Sequence, residues 1–138
     1  MSEQELQIQV AQYLRLQYPN VLFHSDYGSG VKLTARQASI QKRQNGGQRG
    51  WPDMFIAEPM FDAKMPEDAA LAFMPGLFLE LKKEGTRLFK KDGSYASEHI
   101  REQDEVMDRL RNKGYTATFA CGFDEAKMII DDYLGGKR

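Results

Sequence analysis

Three ionisable residues stand on short apolar runs. Asp53 follows Pro52 at the head of "PDMFIAEP", and Glu80 and Lys82 interrupt the leucines of "GLFLELKKEG". Both runs read as strands, and a strand alternates its faces. Leu77, Leu79 and Leu81 therefore share one side, and Phe78, Glu80 and Lys82 the other. Charges on a half-buried face are costly unless something pairs or uses them. Taken alone, Glu80 and Lys82 also read as an edge-strand ion pair. Asp53 adds a second acid. It opens one strand and Glu80 lies late in the next, so antiparallel neighbours would bring the two carboxylates together at one sheet edge. Paired carboxylates are what a hard, oxygen-seeking Mg²⁺ or Mn²⁺ needs. Such an ion polarises a phosphoryl oxygen and lowers the pKa of a bound water. Lys82, about 7 Å along the same face by strand rise, is placed to position that water or to stabilise charge on a phosphate.

Gln103 joins them by helical spacing. Its neighbours three, four and seven positions away are Ile100, Val106, Met107 and Leu110, so it sits inside a buried stripe. A buried amide needs partners. Residues 27–50 carry Lys32, Arg36, Lys42, Arg43 and Arg49 and no acid. The loop after the Glu80 strand adds Arg87, Lys90 and Lys91. Cations without acids beside an acid pair suit a phosphate backbone, which they position without reading bases. No helix-turn-helix or other base-reading module is recognisable. His24 and His99 have no ligand-spaced neighbours and take no role, His99 falling near the site entrance.

The elements that must hold these residues follow from periodicity and capping. "SEQELQIQVAQYLRLQYP" reads as a helix capped by Ser2 and Glu5, with Leu6, Val10, Tyr13 and Leu14 as its stripe. A short strand runs from Val21 to about His24, and a short helix is expected around 34–43. The strand after Pro52 is followed by an irregular insertion over 60–75, with a short helical turn and with Asp62, Glu67 and Asp68 at the surface. The Glu80 strand comes third, then a hairpin-like polar loop. A helix capped by Ser97, a fourth strand "YTATFACG" and a final helix "FDEAKMIIDDYLGG" complete the chain. The expected fold is α/β, one mixed sheet flanked by helices. The 138 residues suit one domain. A net charge of −1 leaves any polyanion site to local clustering. The single cysteine, Cys121, excludes an internal disulfide and a cysteine-based zinc cluster. The polar N-terminus is neither a signal nor a transit peptide, and no apolar run approaches the roughly 18 residues of a membrane span. The expectation is a single cytoplasmic domain.

"WPD" followed by "ELK" after an insertion resembles the PD-(D/E)XK nuclease superfamily. "GGQRGWPDMFI", "GLFLELKKEGTR", the helix bearing Gln103 and the N-terminal helix resemble its VRR-NUC branch, and stand in that branch's order, particularly that of the small stand-alone domains found in phages. The resemblance covers nearly the whole chain. It implies a restriction-endonuclease-like fold and divalent-metal-dependent hydrolysis of DNA phosphodiester bonds. Asp53 and Glu80 match the metal-binding acids, Lys82 the motif lysine and Gln103 a helix glutamine. Leu81 would lend a backbone carbonyl to one or two Mg²⁺ or Mn²⁺ ions. The branch also has a first-helix glutamate. At about 100° per residue, Glu3 and Gln7 fall on the stripe of Leu6, Val10 and Leu14 and Glu5 falls off it, which favours Glu3 and leaves Glu5 as the alternative. Branched, flap or junction DNA is the implied substrate, and a homodimer would present two sites. Two other readings stand beside it: a non-cleaving DNA-binding or assembly module on the same fold, and a metal-dependent enzyme for a small phosphate ester.

Overall fold

A computed structural model of the chain describes residues 1–27, 32–61 and 73–135. In chain order these form α1 (Glu3–Gln17), β1 (Phe23–Ser25), α2 (Ala35–Gln44), β2 (Met54–Ile56), β3 (Met60–Phe61), β4 (Phe73–Met74), β5 (Leu77–Lys82), α3 (Glu98–Asn112), β6 (Thr116–Cys121) and α4 (Phe123–Leu134). The main sheet has the order β1-β2-β5-β6. Its first two pairings are antiparallel and β5–β6 is parallel, with α3 in the crossover. The mixed sheet expected from the sequence is present.

The alternation of β5 divides the core. Leu77, Leu79 and Leu81 join Met54 and Ile56 beneath α1 and α4, against Leu6, Val10, Leu14, Ala126 and Ile130. Phe78 joins Ala117 and Phe119 beneath α3, against Ile100, Met107 and Leu110. Both faces of β5 are therefore covered, and all six of its residues are buried. Glu80 and Lys82 lie on the Phe78 face, Glu80 level with Phe119 of that apolar cluster and Lys82 one step past it.

α1 carries the capping box read from the sequence: Glu5 N–H donates to Ser2 Oγ and Ser2 N–H to the Glu5 carboxylate, both at 3.0 Å. Its far end is tied to α4. The hydroxyls of Tyr13 and Tyr18 donate to Asp131 Oδ1 at 2.5 and 2.6 Å, and Lys127 Nζ donates to Oδ2 at 3.0 Å. Burial would raise the Asp131 carboxyl, but these donors outweigh it and hold the pKa at about 2.

Two expectations are corrected. β1 starts at Phe23, not Val21, because Val21 N–H still donates to Tyr18 O at 3.1 Å in the turn that leaves α1. The expected irregular insertion instead has strands at its two ends, where β3 and β4 pair as an antiparallel ribbon, Met60 with Met74 and Phe61 with Phe73; its expected helical turn lies outside the described residues. Met60 and Met74 pack on the core, and Tyr133 Oη of α4 donates to Glu58 O at 2.7 Å. Asp62, Glu67 and Asp68 lie outside the described residues. The loop after β5 is hairpin-like as expected, with an antiparallel bridge between Phe89 and Tyr95. Among the described residues no helix is long and apolar enough to cross a membrane.

α2 has no buried residue. Thr34 and Gln37 cap it reciprocally, and the chain returns from it to β2 through Gly50. Gly50 has φ +83°, and a Cβ there would stand 2.9 Å from the Glu102 carbonyl oxygen of α3. Gly47 shares the left-handed φ, +80°, but has open space around it. Alanine at position 47 should cost about 1 kcal/mol of backbone strain. At position 50 it must also displace the chain from α3, for about 2–4 kcal/mol in all. Urea midpoints of Gly47→Ala and Gly50→Ala measure the difference; equal midpoints would rule out the close approach.

Candidate active site

β2 and β5 pair in a register that sets Met54 opposite Leu79 and Phe55 opposite Phe78. Carried one residue further, the same register sets Asp53 opposite Glu80. Asp53, Glu80, Lys82 and Gln103 are all buried, at 7, 4, 7 and 5% exposure. Asp53 Oδ2 accepts the Leu81 N–H at 2.7 Å, which aims its carboxylate across the strand gap. Gln103 Nε2 donates to Glu80 Oε1 at 2.5 Å and stands 3.2 Å from His99 Nε2. Lys82 Nζ lies 3.7 Å from Glu80 Oε1, an ion pair without a close hydrogen bond. Glu80 Oε2 and Gln103 Oε1 are buried with no hydrogen-bond partner. Such atoms are rare in folded proteins and mark places where something else is meant to bind.

Two carboxylates here have lost most of their water and share one ammonium. Burial pushes the Asp53 carboxyl up to about 6; the Leu81 N–H and Lys82 pull it down, while Glu3 and Asp26 push it further up. Burial raises Glu80 well above the usual carboxylate range, and Asp53 and Glu3 add to this against Lys82. The site is short of positive charge.

The four residues lie in a cavity of about 420 Å³, which Leu81, Glu3, Gln7 and His99 also line. Glu3 is half-buried there, whereas Glu5 is exposed and spent in the helix cap. Gln7 Nε2 donates to Ser25 Oγ at 2.6 Å and to Asp26 O at 3.0 Å, so α1 is fastened to the end of β1 beside the site. Asp26 N–H in turn donates to Asp53 O at 2.8 Å. Ala38, Gln41, Lys42 and Asn45 of α2 and the segment after it form the far wall, together with Arg49 and Trp51.

The cations expected to contact phosphate divide into two groups. Lys42 and Arg49 line the cavity, with Arg49 Nε 3.9 Å from Glu102. Lys32, Arg36 and Arg43 are exposed but do not line it. Arg87, Lys90 and Lys91 are exposed in the loop after β5 and likewise stand outside it, with Arg87 Nε donating to Phe89 O at 3.1 Å. Gln41, Asn45, Gln48, Trp51 and Asp26 line the cavity and were not singled out from the sequence. Their one available signal was Trp51 standing next to Pro52 and Asp53.

Among the described residues no three His, Cys, Asp or Glu side chains form a group spaced to hold a metal ion. Glu3 shares the cavity and its charge reaches both buried acids, but it does not complete a ligand cluster. The donor set still suits a hard cation. Mg²⁺ keeps several waters and takes only one or two carboxylates, and Asp53, Glu80 and the Leu81 backbone supply oxygens of that kind. The unpartnered Glu80 Oε2 and the raised carboxyls are compatible with such a cation, which would offset the charge of the buried acids.

No protein-family model matches the chain, and no curated protein does. Among solved structures, one described as a "VRR_NUC domain protein" superposes with a TM-score of 0.65 at 24% identity, covering 99% of this chain and 90% of that one. The chain thus has the fold of that protein, a restriction-endonuclease-like α/β arrangement.

A carboxyl whose pKa is higher folded than unfolded binds more protons in the native state, so stability falls as pH rises through that interval and stays low above it. For Asp53 the interval runs from the ordinary 3.8 to about 6. Without divalent ions, Asp53→Asn should therefore raise stability at pH 7.5 by up to about 3 kcal/mol, and the gain should fade towards pH 4. Glu80→Gln should likewise leave the metal-free melting temperature at or above wild type. Melting curves in EDTA at both pH values test this; a drop on either substitution at pH 7.5 would favour a purely structural ion pair.

Proposed function

We propose that this chain is a divalent-metal-dependent nuclease of the VRR-NUC type, hydrolysing DNA phosphodiester bonds. The observation that carries the reading is the meeting of Asp53 and Glu80 across the β2–β5 pair, with Lys82 and Gln103 on the same face and Lys42 and Arg49 on the opposite wall. Asp53, Glu80 and the Leu81 carbonyl would hold Mg²⁺ or Mn²⁺, with Glu3 acting through water at the mouth. The bound ion would supply a polarised phosphoryl oxygen and an acidified water. Lys82 then orients the attacking water and stabilises charge on the phosphate. Gln103 holds the Glu80 carboxylate by one oxygen and leaves the other without a hydrogen-bond partner, open to a ligand. Lys42 and Arg49 fix the scissile strand by its phosphates.

The substrate we assign is branched or flapped DNA. α2 presents polar side chains to the cavity and the sequence carries no recognisable base-reading module, so selection would rest on the shape of the strand brought to the acids. Plasmid, linear duplex, flap and four-way-junction DNA are incubated with Mg²⁺, Mn²⁺ or EDTA. Cutting should require the metal, prefer the flap or junction, and fall at least about a hundredfold in Asp53→Asn and Lys82→Ala. Tight binding without cutting by the wild type would indicate a non-cleaving module, and inertness towards all four DNAs would point to a small phosphate ester.

A further inference from the structure

One rung along the same sheet face from the acid pair lies an aromatic pair. Phe55 follows Asp53 by two residues on β2, Phe78 precedes Glu80 by two on β5, and the register sets them opposite each other. Their rings stack at 4.4 Å with a 24° tilt. Trp51 stands over them, its ring 6.1 Å from Phe78, and is 45% exposed. These three rings and Ile40 of α2 line a second cavity, of about 570 Å³, together with Leu33 and Pro52. Trp51, Asp53, Asp26, Gln41 and Asn45 line both cavities, so the two adjoin beside α2.

The chemistry of the two chambers differs. The acid chamber takes charge; the aromatic chamber offers a flat apolar surface with Gln37 and Gln44 at its edge. Two residues of strand place the chambers about 7 Å apart, a span that a nucleotide covers between its phosphate and its base. A paired base is held in its duplex and cannot reach such a chamber, whereas an unpaired one can turn out and stack. Exposed aromatic rings beside a phosphate track are the usual platform for single-stranded bases.

Building on the nuclease reading, we propose that the Trp51–Phe55–Phe78 chamber receives an unpaired nucleobase adjacent to the scissile phosphate. Trp51 is then a specificity-determining residue that makes cutting depend on a splayed nucleotide. Gln37 and Gln44 bond the base edge without demanding one base.

The chain has one tryptophan, at the boundary of the two chambers, so its fluorescence reports binding there and the abasic series tells base from backbone. The wild-type protein is titrated in Ca²⁺ with a single-strand-tailed duplex, and with the same DNA carrying one abasic nucleotide at each position across the junction in turn. Cutting of the same DNAs in Mg²⁺ is followed in parallel. Quenching should accompany binding and be lost at one or two abasic positions next to the cut site, where affinity drops about ten- to hundredfold. In Trp51→Ala the affinity difference between base and abasic site at those positions should shrink to within about twofold, while Trp51→Phe, which keeps a ring, retains most of it. The abasic series on the wild type needs no variant to fold. Cutting in Mg²⁺ without quenching, or quenching that no abasic position removes, overturns the base chamber and leaves the nuclease reading standing. Neither binding nor cutting removes both.

Discussion

Two carboxylates are held close together, out of water, on neighbouring strands, and most of the molecule can be read as the means of keeping them there. A buried acid pair with one ammonium is an unfavourable arrangement that any freedom of movement would relieve. Asp53 could turn to solvent if the Leu81 N–H did not hold it, and Glu80 could turn if Gln103 did not. The strain is tolerated because the β2–β5 register is fixed by a large apolar core on the leucine face. A slip of one residue would send those leucines to the other face of the sheet and scatter the acids with them.

The supports lie at some distance from the chemistry. Tyr13 and Tyr18 tie the C-terminal part of α1 to Asp131 of α4, and Gln7 ties the other end to Ser25 and Asp26. α1 is thus held at both ends, and Glu3 is delivered to the mouth of the cavity. α3 is seated by Ile100, Met107 and Leu110, which bury the one polar member of its stripe, Gln103, against Glu80. α2 is different: it buries nothing and rests on its caps and the return through Gly50. The site therefore has a rigid floor and a lightly attached roof, so the roof falls among the parts of the molecule that open most readily.

What the sequence discloses and what it hides divide along physical lines. Alternation in β5 was legible because leucines and charges occupy opposite parities, and Gln103 because it interrupts a regular stripe. The convergence of Asp53 and Glu80 was legible as soon as antiparallel neighbours were assumed. Long-range polar ties were not: Tyr13 meets Asp131 across 118 positions, and nothing local to either residue announces the other. Nor was it legible which cations face the cavity. α2 has no apolar stripe to fix its rotation, so Lys42 could not be told from Arg43, its neighbour about 100° around the helix. The aromatic chamber escaped because Phe55 and Phe78 read as core residues, which in part they are. The ribbon of β3 and β4 escaped because each strand is only two residues long.

That ribbon has a bearing on how such a chain changes over generations. Between β2 and β5, the two strands whose alignment matters most, the chain runs out through Met60–Phe61 and back through Phe73–Met74, and the crossing is clasped at its base by Met60, Met74 and Tyr133. Whatever is added or removed beyond the clasp alters loop-closure entropy only logarithmically and leaves the alignment of the acids untouched. The clasp thus insulates the chemistry from changes in the length of chain that joins the two strands of the ribbon.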